Sequence, residues 1–177
     1  MRFIKVFLSA VFLFAFFNVH AQPITGAFGL KLGEIMWGGY LSSWPEGPEG
    51  REKGKVINFK DDFFDRVEFY LLPNSKRVYE ISGIKIVQTQ CGYEKERNAL
   101  IDTLREKYGK YEQEIDKEWE GLEKFRAKYK DREVYVRCGA GGGDWLLYVS
   151  YRDWGLSRLQ DKERKMIEKE KIDASKL

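Results

Sequence analysis

Histidine is almost absent from this chain. The 177 residues include a single one, His20, and it lies in an N-terminal segment that we expect to be cleaved off. Imidazole is the usual general base near neutral pH, the usual partner of a nucleophilic Ser or Cys, and the commonest zinc or iron ligand. Its loss excludes triad hydrolases and most transition-metal sites. Carboxylate chemistry, Lys-assisted nucleophiles, oxygen-ligated calcium or magnesium, and no catalysis at all remain.

A surplus of charge of one sign is also missing. The chain has 31 Lys and Arg against 28 Asp and Glu, and the basic residues are spread along it without a run. Nucleic-acid binding needs a concentrated positive surface, so we expect no nucleic-acid partner. A hydrophobic content of 43% with 15% aromatic residues argues against a disordered chain, and the length fits one domain.

The one conspicuous apolar run lies at the N-terminus. Arg2 and Lys5 precede a greasy segment from Val6 to Phe17, and small residues at Val19 and Ala21 fit a cleavage site. The run is shorter than the roughly 20 residues that a bilayer requires, and the pattern is that of a secretory signal peptide. We expect residues 1–21 to be the signal peptide and residues 22–177 a single globular domain, periplasmic or secreted, with no stable membrane insertion after cleavage.

Cysteine is scarce, with only Cys91 and Cys138. In an oxidising compartment an even count usually means pairing, and two residues allow one bridge. We predict a structural disulfide between them, with free thiols or a redox pair as the alternatives. A catalytic dithiol is less consistent with the sequence because it contains no C-x-x-C motif.

Alternating apolar residues predict an antiparallel sheet. Residues 67–71 and 78–87 read as two strands joined by a turn at Pro73–Lys76, with a bulge at Gly83. Further strands are predicted at 28–32, at 54–60, at 124–129, and at 134–138 paired with 145–151.

Two helices are predicted, and they complete an α+β fold. Apolar residues at three- and four-residue spacing mark one from Tyr93 to Tyr108, with Gly109 as a left-handed cap. A charged helix covers about 156–171. Residues 110–129 stay ambiguous: Ile115, Trp119, Leu122 and Tyr129 could line another helix, whereas the alternation within 124–129 favours a strand there. We expect an antiparallel sheet of about five or more strands with one or two helices packed on it, plus this charged C-terminal helix.

Three aromatic residues are the candidate ligand-binding site. Trp37, Tyr40 and Trp44 lie in a stretch from 37 to 54 that is rich in Gly and Pro and reads as a long loop. Exposed Trp and Tyr are favoured at binding surfaces, so a sugar or a peptide could stack there. The alternative is that these rings fold back over one end of the sheet.

Two other motifs have structural readings that we favour. The run from Gly139 to Asp144 resembles a phosphate-binding loop, but it lacks the Lys and the Ser or Thr of a P-loop and leads into a strand, so a hairpin turn is expected. Asp61, Asp62, Asp65 and Glu68 lack the spacing of a calcium loop and are read as an acidic turn. No metal site, cofactor or catalytic residue is predicted.

Short motifs give a resemblance to known proteins. The segment Phe28-Gly29-Leu30-Lys31-Leu32-Gly33, the helix end Lys107-Tyr108-Gly109 and the later aromatic hairpin resemble a loose set of small exported bacterial proteins, mostly uncharacterised. Some of these are similar to the beta-lactamase-inhibitor-protein type of fold, in which helices pack on one face of an antiparallel sheet. In the commonest version Ser or Thr follows the Leu-Gly and opens a helix, whereas Glu34 follows it here. The resemblance implies binding or inhibition rather than catalysis and transfers no functional residue.

The expected function is therefore that of an exported, non-enzymatic binding or inhibitory module whose partner is another envelope protein or a glycan. A carboxylate-dependent hydrolase of cell-wall glycans is the first alternative, since glycosidases use two carboxylates and no histidine. A structural envelope component that acts through the charged C-terminal helix is the second.

Overall fold

The computed structural model describes residues 22–36, 52–56, 59–88, 94–115, 123–141 and 143–174. The predicted signal peptide lies outside these residues. In chain order the elements are β1 (Gly26–Ala27), β2 (Leu30–Lys31), β3 (Glu52–Lys55), β4 (Arg66–Leu71), β5 (Val78–Val87), α1 (Glu94–Tyr108), β6 (Glu123–Tyr129), β7 (Arg132–Gly141), β8 (Asp144–Asp153), α2 (Trp154–Ser157) and α3 (Gln160–Ala174).

Six of the strands form one antiparallel sheet in the order β3-β4-β5-β8-β7-β6. Three hairpins build most of it, because β4 pairs with β5, β6 with β7, and β7 with β8. The pairing of β5 with β8 then joins the two halves in the centre. Strands β1 and β2 form a separate small hairpin. The predicted α+β class, with an antiparallel sheet of at least five strands and a charged C-terminal helix, is confirmed.

The hydrophobic core lies on one face of this sheet. Alternate residues of each strand point to the same side, and on this side they are apolar, as Phe69, Ile81, Val149 and Val136 illustrate. Helix α1 covers the sheet with the residues that the sequence periodicity predicts, namely Ile101, Leu104 and Tyr108. The N-terminal segment adds Ile24, Leu30, Leu32 and Met36 to the same core.

The predicted bulge at Gly83 is wrong. Gly83 pairs in regular register with Val67 on one side and Val149 on the other, and the irregularity of this hairpin lies between Tyr70 and Leu71. Gly83 instead leaves a slot on the core face, because a β-carbon there would overlap the rings of Phe28 and Phe64.

The N-terminal prediction of one strand at 28–32 is also wrong, because the segment is a tight hairpin. Phe28 (φ 56°) and Gly29 (φ 77°) are its central residues, and positive φ at both positions is the signature of the turn that matches strand twist. Phe28 is strained there. Its ring is held above Gly83 and meets Phe64 edge-on, with 5.1 Å between ring centroids.

Two further boundaries differ from the prediction. The strand expected at 54–60 begins earlier and ends at Lys55, so residues 52–54 belong to β3 and not to a loop. Gly109 does not form a left-handed cap. The chain continues after α1 as one turn of 3-10 helix, Gly109–Tyr111, and Glu112 then bridges to Ala127 on β6. The strand predicted at 124–129 is confirmed as β6.

The C-terminal segment is two helices instead of one. Asp153 caps α2, with its side chain accepting from the amide of Leu156 at 3.0 Å, and α3 follows. Helix α3 buries none of its residues. Its Glu163 side chain binds the β4–β5 turn, accepting from the amides of Asn74 and Ser75 at 2.9 and 3.0 Å. Within the described ranges, no helix is both long and apolar enough to cross a membrane.

Candidate functional site

The second face of the sheet is polar, and we call it the polar face. Register brings two rows of side chains together across its four central strands. One row runs Glu68, Ser82, Ser150, Tyr135, and the next runs Tyr70, Glu80, Arg152, Glu133. Charged residues are rarely buried without partners, yet all three of these carboxylates are at most 7% exposed. The polar face is therefore built around specific pairings.

The centre of the polar face is a three-residue network. Arg152 donates from Nε and Nη2 to Oε2 of Glu80 at 3.0 and 2.7 Å. The Tyr135 hydroxyl donates to Oε1 of Glu80 at 3.0 Å and accepts from Nη2 of Arg152 at 3.0 Å. The Arg152 guanidinium also stacks against Trp154, 4.7 Å from the ring centroid. Each oxygen of Glu80 thus has a donor.

The environment fixes the protonation of both partners of Glu80. Burial, and then the negative charge of Glu80, raise the pKa of the Tyr135 phenol above its usual value, so it remains a hydrogen-bond donor. Burial alone would lower the pKa of Arg152, but the charge of Glu80 and its hydrogen bonds, together with the charge of Glu133, outweigh burial, and the net pKa shift is upward. The network is a fixed ion pair with a neutral hydroxyl bridging it.

Next to this network the polar layer is uncharged. The hydroxyls of Ser82 and Ser150 lie 2.8 Å apart across β5 and β8 and share a hydrogen bond. Both residues are almost fully buried. Because both hydroxyls are buried and bonded to each other, this part of the polar face is not accessible to a ligand.

A cavity opens where the polar face reaches its β3 edge, and we call it the edge pocket. It has a volume of about 270 Å³ and is lined, among the described residues, by Lys53, Gly54, Lys55, Arg66 and Glu68. Lys53 and Lys55 lie on one side of β3, opposite Tyr70 and Glu68 of β4, because residues two apart in a strand share a face.

Ion pairs hold the floor of the edge pocket. Arg66 Nε donates to Oε1 of Glu68 at 3.0 Å, and Lys53 Nζ pairs with Oε2. The side chain of Glu68 is 9% exposed, whereas those of Lys53 and Arg66 are each 30% exposed. Two cations thereby flank a buried carboxylate, and the side chain of each is partly exposed at the cavity that these residues line.

An aromatic and cationic rim lies further along the polar face, where Ile84 of β5 separates it from Arg66 of the edge pocket. Arg137 stacks on Tyr148, 4.9 Å from the ring centroid. Burial raises the pKa of Tyr148, while Arg137 and, more weakly, Arg66 oppose the rise and Glu68 adds to it. The charges of Arg66 and Glu68 in the edge pocket therefore act on the pKa of Tyr148, which lies two strands away on β8.

The two buried carboxylates Glu68 and Glu80 have no oxygen left for acid–base catalysis. A carboxyl group that transfers a proton to a substrate must have an oxygen within hydrogen-bonding reach of it. Both oxygens of Glu68 and both oxygens of Glu80 already accept from protein donors. Among the described residues, no group of three or more potential metal ligands comes together.

A second cavity, of about 360 Å³, lies between the N-terminal segment and the β6–β7 turn. Most of its charged residues are paired. Arg132 pairs with Asp153 at 2.9 Å and also reaches the carbonyl of Ile24, and Asp131 pairs with Arg158 at 3.0 Å. Lys130 lies over the ring of Tyr129, and with it the described lining has two positive and two negative charges, so this cavity lacks the charge excess of the edge pocket.

Of the residues that the sequence predicts for the binding site and the disulfide, the structure describes Cys138 alone. Trp37, Tyr40 and Trp44 lie outside the described residues, as does Cys91. Cys138 is on β7 and faces the core, 3% exposed, as the alternation with Val134 and Val136 predicts. Its pairing with Cys91 stays a prediction.

The acidic cluster is a turn, as expected, and its members separate. Asp61 accepts from the amides of Phe63 and Phe64 at 2.8 and 2.9 Å. Asp65 accepts from the amide of Ile86 at 2.6 Å, whereas Glu68 faces the edge pocket. The Gly-rich run forms the end of the β7–β8 hairpin, where Gly141 pairs with Asp144.

Sequence reasoning missed the edge pocket and the Glu80–Arg152–Tyr135 network. The residues of the pocket and of the network alternate with core positions along their strands, so the hydrophobic pattern predicts only that they face solvent. Their complementarity appears only when the register is known, because Glu80 and Arg152 are 72 positions apart. The available signal was the density of Tyr, Arg and Glu at alternate positions of β7 and β8, namely Glu133, Tyr135, Arg137, Tyr148 and Arg152.

Comparisons of this chain with protein families, with curated proteins and with solved structures find no match.

Proposed function

We propose that residues 22–177 form an exported, non-enzymatic binding module that contacts an envelope partner through the edge pocket. The observation that carries this proposal is the arrangement of charge at β3 and β4. Lys53, Lys55 and Arg66 surround one buried carboxylate, Glu68, whose two oxygens are both occupied. Such a site can attract a negatively charged group, but it offers no unoccupied carboxylate oxygen to act on it.

The excess positive charge of the edge pocket determines that it attracts negatively charged groups. A cavity lined by one sign of charge raises the local concentration of oppositely charged groups and steers their approach. The rim supplied by Tyr148 and Arg137 adds rings and a guanidinium, which are the side chains that most often dominate binding energies. We therefore place the centre of the contact surface at the edge pocket.

The proposal is tested by association with envelope material. The mature chain should co-sediment with an isolated bacterial envelope fraction, and Lys55→Glu should weaken this association several-fold because it reverses a charge at the edge pocket. Lys128→Glu is the matched control. Lys128 is exposed on β6, at the opposite edge of the sheet. Equal association of the wild type and both variants would overturn the proposal.

The aromatic loop residues remain part of the proposal. Trp37, Tyr40 and Trp44 are expected to add stacking area to the contact, by the argument that exposed aromatic side chains are favoured at binding surfaces. Replacing all three with Ala should lower envelope association. Unchanged association would remove these residues from the contact surface while leaving the edge pocket in place.

The rival activity is a carboxylate-dependent hydrolase of cell-wall glycans. Such an enzyme needs two carboxyl groups facing the scissile bond. Glu68 is the carboxylate that lines the edge pocket, whereas the two that line the second cavity, Asp131 and Asp153, are paired with Arg158 and Arg132. Incubation with peptidoglycan fragments should release no product. Turnover that Glu68→Gln abolishes would replace the binding proposal with the enzymatic one.

A structural role through α3 is the remaining alternative, and one observation favours it. The helix buries none of its residues, and Met166 is 46% exposed. Deleting residues 156–177 should leave envelope association intact if the edge pocket is the contact. Loss of association on this deletion, with Lys55→Glu unaffected, would support the structural role.

A further inference from the structure

The edge pocket has unmatched positive charge. Lys53, Lys55 and Arg66 carry three positive charges and Glu68 carries one negative charge, so the described lining has two positive charges in excess. A further cation of the polar face, Arg137 on β7, lies over the ring of Tyr148. A ligand group with about two negative charges would neutralise the lining.

The cations also keep donors for a ligand. Glu68 uses one N–H of Arg66 and one ion-pair contact of Lys53, whereas a guanidinium has five N–H groups and an ammonium has three. Lys55 is exposed, and the ion pairs of the described residues give it no carboxylate partner. Hydrogen bonds from charged donors to an anionic oxygen are about twice as strong as neutral ones.

The size of the edge pocket limits the ligand to a small group. Its volume of about 270 Å³ is below the range of about 300 to 1,000 Å³ that holds drug-sized molecules. Its lining comes from two paired strands, β3 and β4, so the positions of the cations are set by the sheet. One anionic group, rather than a whole glycan or peptide, fits this space.

We infer that the edge pocket binds a phosphate-class dianion, as a phosphate monoester carried by the ligand or partner. A phosphate presents two negative charges and several acceptor oxygens to a site with two excess positive charges, whereas a carboxylate presents one charge. Arg66 and Lys55 are the residues that bind it, and Glu68 positions Arg66 and Lys53. This inference rests on the proposed function of the same site.

The test is a titration of the mature chain with inorganic phosphate, followed by amide chemical shifts at constant ionic strength. Saturable shifts should concentrate at residues 53–55 and 66–68. Lys55→Gln should weaken phosphate binding about tenfold, the equivalent of one charge-assisted hydrogen bond. Lys128→Gln should leave it unchanged.

Two further arms identify the anion and its source. Acetate should bind at least several-fold more weakly than phosphate, since it carries one charge. Phosphatidylcholine vesicles with and without phosphatidic acid distinguish a lipid phosphate from a soluble one: retention by the phosphatidic acid vesicles that Lys55→Gln abolishes assigns the phosphate to a lipid, and absence of retention assigns it to a soluble ligand.

Three outcomes would overturn the inference. They are an absence of saturable shifts with phosphate, acetate binding as tightly as phosphate, and an equal loss of affinity in Lys55→Gln and Lys128→Gln. If any of these occurred while Lys55→Glu still reduced envelope association, the edge pocket would keep its binding role and only the phosphate assignment would fall.

Discussion

Glu80 is the residue on which the polar face depends most. Its carboxylate is 3% exposed and receives hydrogen bonds from Arg152 and Tyr135. Removing one member of a buried ion pair is costly because the other charge stays buried without a partner. A single change of charge at this position therefore tests whether the network is structural.

We predict that Glu80→Gln lowers the free energy of unfolding by about 3 kcal/mol, measured by urea denaturation. The double variant Glu80→Gln, Arg152→Met should lose less than the sum of the two single variants, because the second change removes the orphaned charge. Strictly additive losses would show that the two side chains do not stabilise each other.

Gly83 is the residue on which the placement of the N-terminal hairpin depends. A β-carbon at this position would overlap the Phe28 ring, so Gly83→Ala should destabilise the protein by about 1 to 3 kcal/mol. Gly139→Ala is the matched control in the same sheet, because the nearest atom to its added carbon is at an ordinary contact distance of 3.5 Å on Tyr148. Equal thermal stability of the two variants would contradict the packing of Phe28 in this slot.

At the scale of elements, α3 is a helix with no buried residue. Among the described residues, the tie to the sheet that stands out is Glu163, which accepts from both the amide and the hydroxyl of Ser75. Partial burial acts to raise the pKa of Glu163, but the hydrogen bonds of Ser75 and Asn74 and the charge of Lys76 outweigh it, and the net shift of the pKa is downward.

The pH dependence of α3 follows from the sign of this shift. A carboxyl whose pKa is lower folded than unfolded stabilises the structure above the unfolded value of about 4.3, and this stabilisation is lost as the pH falls through the folded value. The amide shifts of Asn74 and Ser75 should therefore titrate with a midpoint below about 4.3. A midpoint above the unfolded value would contradict the tie.

The hydrogen bonds of Glu163 with Asn74 and Ser75 also predict the effect of substituting Glu163. Glu163→Gln should speed proteolysis within residues 158–174, because it weakens the hydrogen bonds that join α3 to the β4–β5 turn, and α3 has no buried residue. Glu168→Gln, an exposed residue one turn further along, should leave the cleavage rate unchanged. Equal rates in the two variants would show that Glu163 does not hold α3 in place.

Elements were more predictable than their ends. Apolar residues repeat every second position in β4 and every third or fourth in α1, because one face of each is buried, so both elements follow from the sequence. Gly109 carries the signal of a helix cap, but the chain extends instead into a 3-10 turn that brings Glu112 beside Ala127. That outcome depends on a tertiary contact that no local pattern contains.

The site was less predictable than the fold for a related reason. In the sequence Glu68 is one of four nearby acidic residues. Its role depends on its ion pairs with Lys53 and Arg66, and Lys53 reaches it only because β3 pairs with β4. Hydrophobic periodicity reports which residues are buried in the core. It gives no information on which polar residues meet on the opposite face.

At the scale of the whole molecule, the predicted disulfide is expected to form in an oxidising compartment and to stabilise the fold. Cys138 is buried in the core of the sheet, and a bridge to Cys91 would close a long loop of chain. Reduction should lower the free energy of unfolding by about 4 kcal/mol, and a Cys91→Ala, Cys138→Ala variant should not respond to reductant. Peptide mapping without reductant that recovers two separate cysteine peptides would contradict the bridge.

The most direct measurement for the account as a whole is the modification rate of individual lysines with and without an envelope fraction. If the edge pocket is the contact surface, acylation of Lys53 and Lys55 slows when envelope material is bound, while Lys107 and Lys128 react at unchanged rates. Unchanged rates at Lys53 and Lys55 while the chain is bound, or protection confined to lysines elsewhere, would contradict it.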